Sequence, residues 1–201
     1  FPEASISWVV NRAYAPILDG HPDLTETLPF EGGAARKQGV WAALGTVRRF
    51  YAELRRRRFD LVVDLQGLFR SGLMVWATGA ARRVGLSSAR EGSRWFYTDL
   101  IEGTDRLKYH AVDRYQRVVE ALGCGETPLT YRFPAFEAEQ TWTTELLALC
   151  PRPWIAAAVG ARWLTKRWPP DRFGTLAAWL RDTHGLASVA LWGPGERAIA
   201  E

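Results

Sequence analysis

The sequence is poor in cysteine and lacks a long apolar run, and both absences narrow the possible functions. Cys124 and Cys150 are its two cysteines, and neither belongs to a Cys-x-x-Cys or Cys/His cluster, which argues against a disulfide framework or a zinc site. No apolar run approaches the roughly 18 to 20 residues needed to span a bilayer. We therefore expect a reduced, cytoplasmic protein without a membrane-spanning helix.

The common sequence signatures of catalysis are missing as well. The chain has no Walker loop and no GxGxxG fingerprint, no Ser/His/Asp order stands out, and no cluster of metal ligands is visible. What it does have is 47% hydrophobic residues over a length of 201 and a formal charge of +4. These values indicate one large or two small folded domains with a mild preference for an anionic ligand or surface.

Short apolar runs alternate with longer segments of helical period, which predicts βαβ units and mostly parallel sheets. The predicted strands cover residues 6–10, 27–30, 61–64, 83–86, 154–159 and 188–192. The predicted helices cover residues 13–18, 38–57, 71–77, 111–122, 137–149 and 170–183.

A break rich in Gly and Pro, residues 123–134, separates the two halves of this pattern. We therefore predict two α/β domains, over residues 1–130 and 131–201. The sequence opens without Met and stops in what looks like the first turns of a helix, so we expect both domains to be incomplete in it.

The segment GARWLTKRWPP, residues 160–170, is overloaded with cations for a connection between a strand and a helix. In open parallel sheets, ligands gather beyond the carboxyl ends of the strands. Lys166 stands just before a helix that begins near Pro170, where backbone N–H groups favour phosphate. On spacing alone, the alternative that Arg162, Lys166 and Arg167 are solvated loop cations stays open.

The next predicted strand leaves through LWGPGE, where Glu196 opens a helix. A carboxylate in this position accepts the hydroxyls of a ribose in dinucleotide folds. The alternative is that Glu196 only complements the helix dipole.

In the first half, FDLVVDLQGLFRSGLM runs from a strand into a helix and carries Asp64, Gln66 and Arg70 at the strand exit. Arg90 and Arg114 follow in later loops, where guanidinium groups bind carboxylate or phosphate. The alternative, which fits any one of these residues taken alone better, is a surface role such as an ion pair between Arg90 and Glu91. The run of four arginines at residues 55–58 closes a predicted helix, where cations favour the negative end of the dipole; contact with an anionic membrane is the alternative.

Taken in order, several segments resemble one known family. ISWVV, FDLVVDLQGLFRSGLM, SSAREGSRWFYTD, HAVDRY, GARWLTKRWPPDRF and LWGPGE are similar to the bacterial ADP-heptose:lipopolysaccharide heptosyltransferases of glycosyltransferase family 9, and most of all to the heptosyltransferase I branch. The resemblance implies a GT-B fold, in which two Rossmann-like domains bind the acceptor (N-terminal) and the ADP-sugar (C-terminal). It also implies inverting transfer of heptose to the Kdo region of the lipopolysaccharide inner core, without metal or cofactor.

The resemblance carries roles to individual residues. It implies that the donor is bound by Lys166, Glu196, Ala161, Arg162 and Thr165, and the acceptor by Asp64, Gln66, Arg70, Arg90 and Arg114. Ala161 and Arg162 stand where some relatives have two threonines, and the stretch before Glu196 is one residue shorter than in some. The catalytic aspartate is expected before Phe1, and a D-T-G stretch that holds the diphosphate is expected after Glu201.

The partners implied are an ADP-sugar, a Kdo-lipid A acceptor and the cytoplasmic face of the inner membrane, to which the protein would bind peripherally, with no role for nucleic acid. Two alternatives stay open. One is a GT-B enzyme that uses another nucleotide sugar and another glycan. The other is a basic α/β domain that binds nucleic acid or anionic membrane through residues 55–58, in a way that weakens steeply with salt.

Overall fold

The computed structural model describes residues 3–31, 40–125, 128–134 and 136–200. The chain divides into two compact units after Pro134, which we call the N-unit and the C-unit. Residues 126 and 127, within the predicted linker, lie outside the described residues. In the described part of the chain, no helix is both long and apolar enough to cross a membrane.

All the strands pair in parallel, as the βαβ pattern predicts. The N-unit has a two-stranded sheet of β1 (Ser7–Asn11) and β2 (Glu26–Phe30), and a three-stranded sheet in the order β3 (Leu61–Asp64), β4 (Arg82–Leu86), β5 (Asp99–Ile101). The C-unit has a sheet of β6 (Trp154–Ala158) and β7 (Ala187–Leu191). Parallel pairing brings the carboxyl ends of neighbouring strands to the same edge.

The helices connect these strands. They are α1 (Val40–Arg56), α2 (Phe69–Thr78), α3 (Ala111–Ala121), α4 (Glu137–Ala148), α5 (Pro170–His184) and the short α6 (Arg197–Ala200). The predicted first helix is a 3-10 helix, Arg12–Leu18, with Pro16 inside it, because proline cannot donate the hydrogen bond that an α-helix needs. The predicted start of α1 at Gln38 lies outside the described residues.

The core of the N-unit consists of two apolar clusters. Leu28 and Phe30 of β2 pack with Leu54 of α1 and Met74 of α2, so the first sheet is held by the two helices that flank it. The second cluster joins the three-stranded sheet to α3, through Val84, Leu86 and Val118. These side chains recur on one face of each element, as amphipathic helices and half-buried strands require.

The arginine run at the end of α1 is partly engaged in ion pairs. Arg56 pairs with Glu53, and Arg57 pairs with Glu53 at 3.0 Å and with Glu26 of β2. Hydrogen bonds from Ser7 and then Arg57 lower the pKa of Glu26. The run therefore ties α1 to the first sheet, in addition to ending the helix.

The C-unit buries fewer apolar side chains than the N-unit does. Among its described residues, Val159 is the one buried apolar side chain. Trp168 packs edge-on against Phe173, with ring centroids 4.9 Å apart, and this contact fixes the connection that enters α5.

Candidate functional site

In the C-unit, the exits of the two strands lie side by side. Ala158 pairs with Leu191 at the end of the ladder, and the Val159 N–H donates to the Leu191 carbonyl at 3.2 Å. Residues 160–167 leave β6 and residues 192–196 leave β7 at this same edge. The segments that carry the predicted donor-binding residues are therefore neighbours.

Glu196 lies in the angle between these two exits. Its Oε2 accepts a hydrogen bond from the Gly193 N–H at 2.9 Å, and its side chain is 20% exposed. Gly160 makes room for it, because a Cβ at that position would overlap the carboxylate. The Glu196 carboxylate is thus positioned by the backbone at Gly193 and at Gly160, and part of it remains exposed to solvent.

Arg167 bridges the two exits. Its Nη2 lies 3.7 Å from Glu196 Oε1, and its Nε donates to the Ala161 carbonyl at 2.7 Å. Arg167 is one of the predicted loop cations, and nothing in a single sequence indicates that it meets Glu196. We interpret Arg167 as the residue that orients Glu196.

Lys166 and its neighbours are open to solvent. Lys166 ends a short 3-10 helix, Leu164–Lys166; neither its ammonium group nor the Thr165 hydroxyl has a hydrogen-bonding or ionic partner among the described residues. Arg162 instead lies over the Trp163 ring, 5.3 Å from its centroid. Among the described residues, neither Lys166 nor Arg162 has a carboxylate partner, so both can neutralise an anion, whereas Arg167 faces Glu196.

The start of α5 provides few hydrogen-bond donors. Pro169 and Pro170 have no N–H, and the N–H groups of Arg172 and Phe173 reach the Pro169 carbonyl at 3.1 and 3.4 Å. That leaves the Asp171 N–H, beside a carboxylate of its own. The expectation of a set of free helix N–H groups beside Lys166 is therefore wrong, and phosphate binding here would depend mainly on the cationic side chains of the loop.

In the N-unit, Asp64 ends β3 and organises the turn that follows. It is 4% exposed; its Oδ1 accepts from the N–H groups of Gln66 and Gly67 at 2.8 and 3.1 Å, and its Oδ2 accepts from the Tyr97 hydroxyl at 2.6 Å. Burial, and then the bond to Asp64, raises the pKa of Tyr97 well above its ordinary value. Asp64 therefore fixes the conformation of the loop after β3 through its hydrogen bonds. Tyr97, which the sequence did not point to, donates one of these bonds.

The loops after β3 and β4 are joined. The Arg90 N–H donates to the Gly67 carbonyl at 2.8 Å, and the Phe69 N–H donates to the Glu91 carboxylate at 3.3 Å. Gln66 and Arg90 are exposed on these loops, and Arg70 is exposed in the first turn of α2, directly after the first loop. The fold thus brings together three of the predicted acceptor-binding residues.

Arg114 lies on α3 and is 8% exposed. Its Nε is buried and has no hydrogen-bond partner among the described residues, and its guanidinium lies 5.6 Å from the Tyr115 ring centroid. Burying a cation without a carboxylate is costly, and such an unpaired group calls for an explanation. An anionic ligand would supply one.

No three His, Cys, Asp or Glu side chains come together as a metal site in the ranges described. The residues available for chemistry at these edges are therefore cations, amides and carboxylates that accept hydrogen bonds.

Comparison with known proteins identifies relatives along most of the chain. A family model described as glycosyltransferase family 9 (heptosyltransferase) matches residues 47–201. Lipopolysaccharide heptosyltransferase 1 of Pseudomonas aeruginosa is 29% identical over 88% of this chain and 49% of its own length. The chain thus spans about half of that relative.

Solved structures agree with the fold. A glycosyl transferase of family 9 from Veillonella parvula superposes with a TM-score of 0.80 at 20% identity, over 99% of this chain and 56% of its own. Escherichia coli heptosyltransferase WaaC, solved with ADP-2-deoxy-2-fluoro heptose, gives 0.70 at 21% identity, over 100% of this chain and 65% of its own. These matches confirm the predicted α/β fold of the GT-B class.

Proposed function

Since the chain belongs to glycosyltransferase family 9, we propose that the protein transfers a heptose from ADP-heptose to the Kdo region of the lipopolysaccharide inner core. Support comes from the P. aeruginosa relative, which is a lipopolysaccharide heptosyltransferase 1, and from WaaC, which was solved with an ADP-heptose analogue. As part of the same proposal, the protein works on the cytoplasmic face of the inner membrane, in peripheral contact with its lipid acceptor.

The observation that supports this proposal most is the placement of Lys166 and Glu196 in segments that leave neighbouring strands at the same edge of the sheet. In a nucleotide sugar, a diphosphate and a ribose are covalently adjacent, so a binding site needs a cation and a hydroxyl acceptor close together. The exits of β6 and β7 are adjacent, Lys166 has no partner among the described residues, and Glu196 keeps part of its carboxylate exposed. In the proposal, Lys166 binds the diphosphate, Glu196 binds the ribose, and residues 161, 162 and 165 line the same loop.

The proposed sugar transfer depends on stabilising the negative charge that develops on the leaving diphosphate. An acceptor hydroxyl attacks the anomeric carbon, the bond from that carbon to the diphosphate oxygen breaks, and ADP leaves with the electron pair. Positive charge placed where this negative charge develops lowers the barrier, and Lys166 would supply it. The hydroxyl proton goes to a general base, which the resemblance implies is an aspartate and which we assign to no residue of this chain.

The N-unit is proposed to bind the acceptor. Its joined loops present Gln66 and Arg90, and the first turn of α2 presents Arg70. Arg114 offers a buried guanidinium without a carboxylate partner among the described residues. Guanidinium groups bind carboxylates and phosphates through paired N–H donors, and an anionic sugar such as Kdo offers a carboxylate. Asp64 contributes by holding the turn.

The test uses the full-length protein with ADP-heptose and Kdo-lipid A, with the product detected by mass spectrometry. We expect a mass increase of one heptose, and competition by ADP but not by UDP. Absence of product under conditions where a known heptosyltransferase works would refute the function. Equal competition by UDP would assign the protein to another nucleotide sugar.

The proposed role of Lys166 has its own test. Lys166→Ala should weaken ADP binding by about tenfold or more, as the loss of one charge-assisted contact implies. Arg172→Ala is the matched control, because Arg172 is exposed on α5 and its side chain has no partner among the described residues. An unchanged affinity in Lys166→Ala, measured by calorimetry, would remove this residue from the site.

A further inference from the structure

A cavity of about 750 Å³ opens in the N-unit where α1 and α2 end. We propose that it binds the phosphate of an anionic phospholipid headgroup and that, together with the exposed face of α2, it forms the surface through which the protein contacts a membrane. The cavity and its charges carry this inference. It rests on the proposed function only for the reason that a membrane is needed, which is a lipid-linked acceptor.

The cavity carries positive charge that the protein itself does not compensate. It is lined by the residues that close the two helices: Arg55, Arg56, Arg58, Phe59, Thr78 and Gly79. Arg56 pairs with Glu53, but the side chains of Arg55 and Arg58 form no hydrogen bond or ion pair with a described residue. Of the described residues, no acidic side chain lines the cavity. Two guanidinium groups therefore remain for an anion, and guanidinium binds phosphate oxygens in pairs.

Arg55 lies over the carboxyl end of α2. Gly79 caps that helix with a φ of 68°, and a Cβ there would overlap the Arg55 guanidinium. A helix end of this polarity favours a cation, yet no N–H of the Arg55 side chain donates to a carbonyl of α2 in the described structure. The guanidinium thus lies in the wall of the cavity, and its donors are available to a ligand.

Arg58 has a backbone conformation that disfavours any residue with a side chain. Its φ is 52°, in the left-handed region that glycine adopts without cost, and glycine is the usual residue just beyond a helix end. An arginine here costs stability, and strain of this kind clusters where a residue has a function. Since Arg58 lines the cavity without an ionic partner among the described residues, anion binding accounts for an arginine at this position.

An exposed aromatic face adjoins the cavity and favours a bilayer over a soluble anion. Trp76 lies in the last turn of α2, where its carbonyl accepts from the Gly79 N–H at 3.1 Å, and it is 58% exposed. Phe69 is seven residues earlier, and therefore on the same face of the helix, and is 49% exposed. Tryptophan is enriched at the membrane–water interface, and arginines beside anionic lipid add to the binding.

The length of α2 connects this surface to the acceptor-binding loops. The helix has ten residues, which corresponds to about 15 Å, with the cavity at its carboxyl end and the joined loops at its amino end. A bilayer along its exposed face would reach from the cavity to Phe69, so a lipid-linked acceptor would stay close to Gln66 and Arg70. A nucleic acid is a weaker match, because its phosphates need a groove of cations along the strand, and these cations surround one cavity.

The experiment compares two double variants of the full-length protein that lose the same charge. R55Q/R58Q neutralises the two unpaired arginines of the cavity, and R49Q/R172Q neutralises two exposed arginines outside its lining, one on α1 and one on α5. Co-sedimentation measures binding to phosphatidylcholine vesicles with and without phosphatidylglycerol. Calorimetry measures binding of inorganic phosphate and of a mixed-sequence RNA oligonucleotide.

We expect R55Q/R58Q to weaken binding to the phosphatidylglycerol vesicles by about tenfold or more, since each arginine beside anionic lipid contributes about fivefold. R49Q/R172Q should weaken it by less than about twofold, because these arginines lie outside the cavity. Trp76→Ala should weaken vesicle binding and leave binding of inorganic phosphate unchanged. Arg58→Gly removes the charge and the strain together, so it should weaken vesicle binding while its unfolding temperature stays at or above that of wild type.

Equal losses in the two double variants would mean that net charge alone attracts the vesicles, and would overturn the inference. Vesicle binding that is unchanged in R55Q/R58Q would overturn it as well. A loss confined to the oligonucleotide, or to inorganic phosphate, would assign the cavity to that ligand and remove the membrane contact.

Heptose transfer is followed in parallel, to an acceptor embedded in the vesicles and to the same acceptor after its acyl chains are removed. R55Q/R58Q should slow transfer to the embedded acceptor and leave transfer to the soluble one unchanged. The two proposals fail separately. Transfer without a loss of vesicle binding in R55Q/R58Q refutes the cavity alone, and a loss of vesicle binding in a protein that transfers no heptose refutes the proposed function alone.

Discussion

The N-unit and the C-unit hold their strand exits in different ways. Among the described residues, the N-unit has nine buried apolar side chains and the C-unit has one, Val159. Asp64 in the N-unit is buried with three intramolecular donors, whereas Glu196 and Arg167 in the C-unit are 20% and 31% exposed. The strand exits of the N-unit are therefore held by packing and buried hydrogen bonds, and those of the C-unit by a polar contact that solvent weakens.

The largest expected effect tests whether packing dominates the N-unit. Leu54→Ala should lower the free energy of unfolding by about 3 kcal/mol, because Leu54 is 1% exposed and its removal leaves a cavity. Leu176→Ala, at a residue of α5 that is 36% exposed, should cost less than about 1 kcal/mol. Both losses can be measured by urea denaturation, with circular dichroism as the signal. Equal losses would mean that packing does not stabilise the N-unit more than the C-unit.

The next effect concerns the buried turn at Asp64. Tyr97→Phe should lower the free energy of unfolding by about 1 to 2 kcal/mol, because it leaves a buried carboxylate oxygen without its donor. Tyr14→Phe is the control, since Tyr14 is 61% exposed. If thermal unfolding shows the same loss in both variants, the bond to Asp64 does not stabilise the turn.

This bond also makes a prediction about pH. The folded-state pKa of Tyr97 is raised, so the stability it contributes is fully present below the unfolded pKa of about 10 and is lost as the pH rises above it. The difference in stability between wild type and Tyr97→Phe should therefore shrink above pH about 10. A difference that stays constant from neutral to alkaline pH would contradict the raised pKa.

A similar or slightly smaller effect is expected for the polar contact of the C-unit. Arg167→Ala should weaken ADP binding about tenfold, or about 1.4 kcal/mol, because Glu196 loses the group that orients it. Binding of 2′,3′-dideoxy-ADP should change much less, since it lacks the ribose hydroxyls that are proposed to donate hydrogen bonds to Glu196. Arg172→Ala controls for charge, and an equal loss for both nucleotides would mean that Arg167 contacts the phosphates instead.

The smallest effect should be a gain. Gly174 lies inside α5, and a Cβ there would meet no atom within 4 Å, so Gly174→Ala should stabilise the C-unit by about 0.5 to 1 kcal/mol. Gly85 of β4 is the counterpart in the packed unit, because a Cβ there would overlap the Tyr97 ring. Thermal unfolding should move in opposite directions for the two alanine variants.

Periodicity was sufficient to predict most helices and several strands of the fold. The predicted strand at residues 61–64 matches β3, and the helix at 111–122 matches α3 to within one residue. β5 was missed because a strand of three residues, Asp99–Ile101, is too short to show an alternating pattern. The division of the N-unit strands into two sheets depends on pairing partners, which no local pattern specifies.

The candidate sites divide in the same way. Lys166, Glu196 and Arg90 could be proposed because their positions beyond strand exits are visible in the sequence. The contacts of Arg167 with Glu196 and of Tyr97 with Asp64 join residues far apart in the chain, and only the fold brings them together. The roles assigned to the site residues stay predictions until they are measured.

The joined loops after β3 and β4 have a consequence for sequence variation. A Cβ at Gly67 would come within 3.1 Å of the Cα and Cβ of Ala89, so the two positions share one small space. Natural substitutions there should be correlated, and a large residue at one position should never accompany a large residue at the other. An insertion in either loop should likewise be accompanied by a change in the other loop. We therefore expect the two loops to vary together among relatives of this protein.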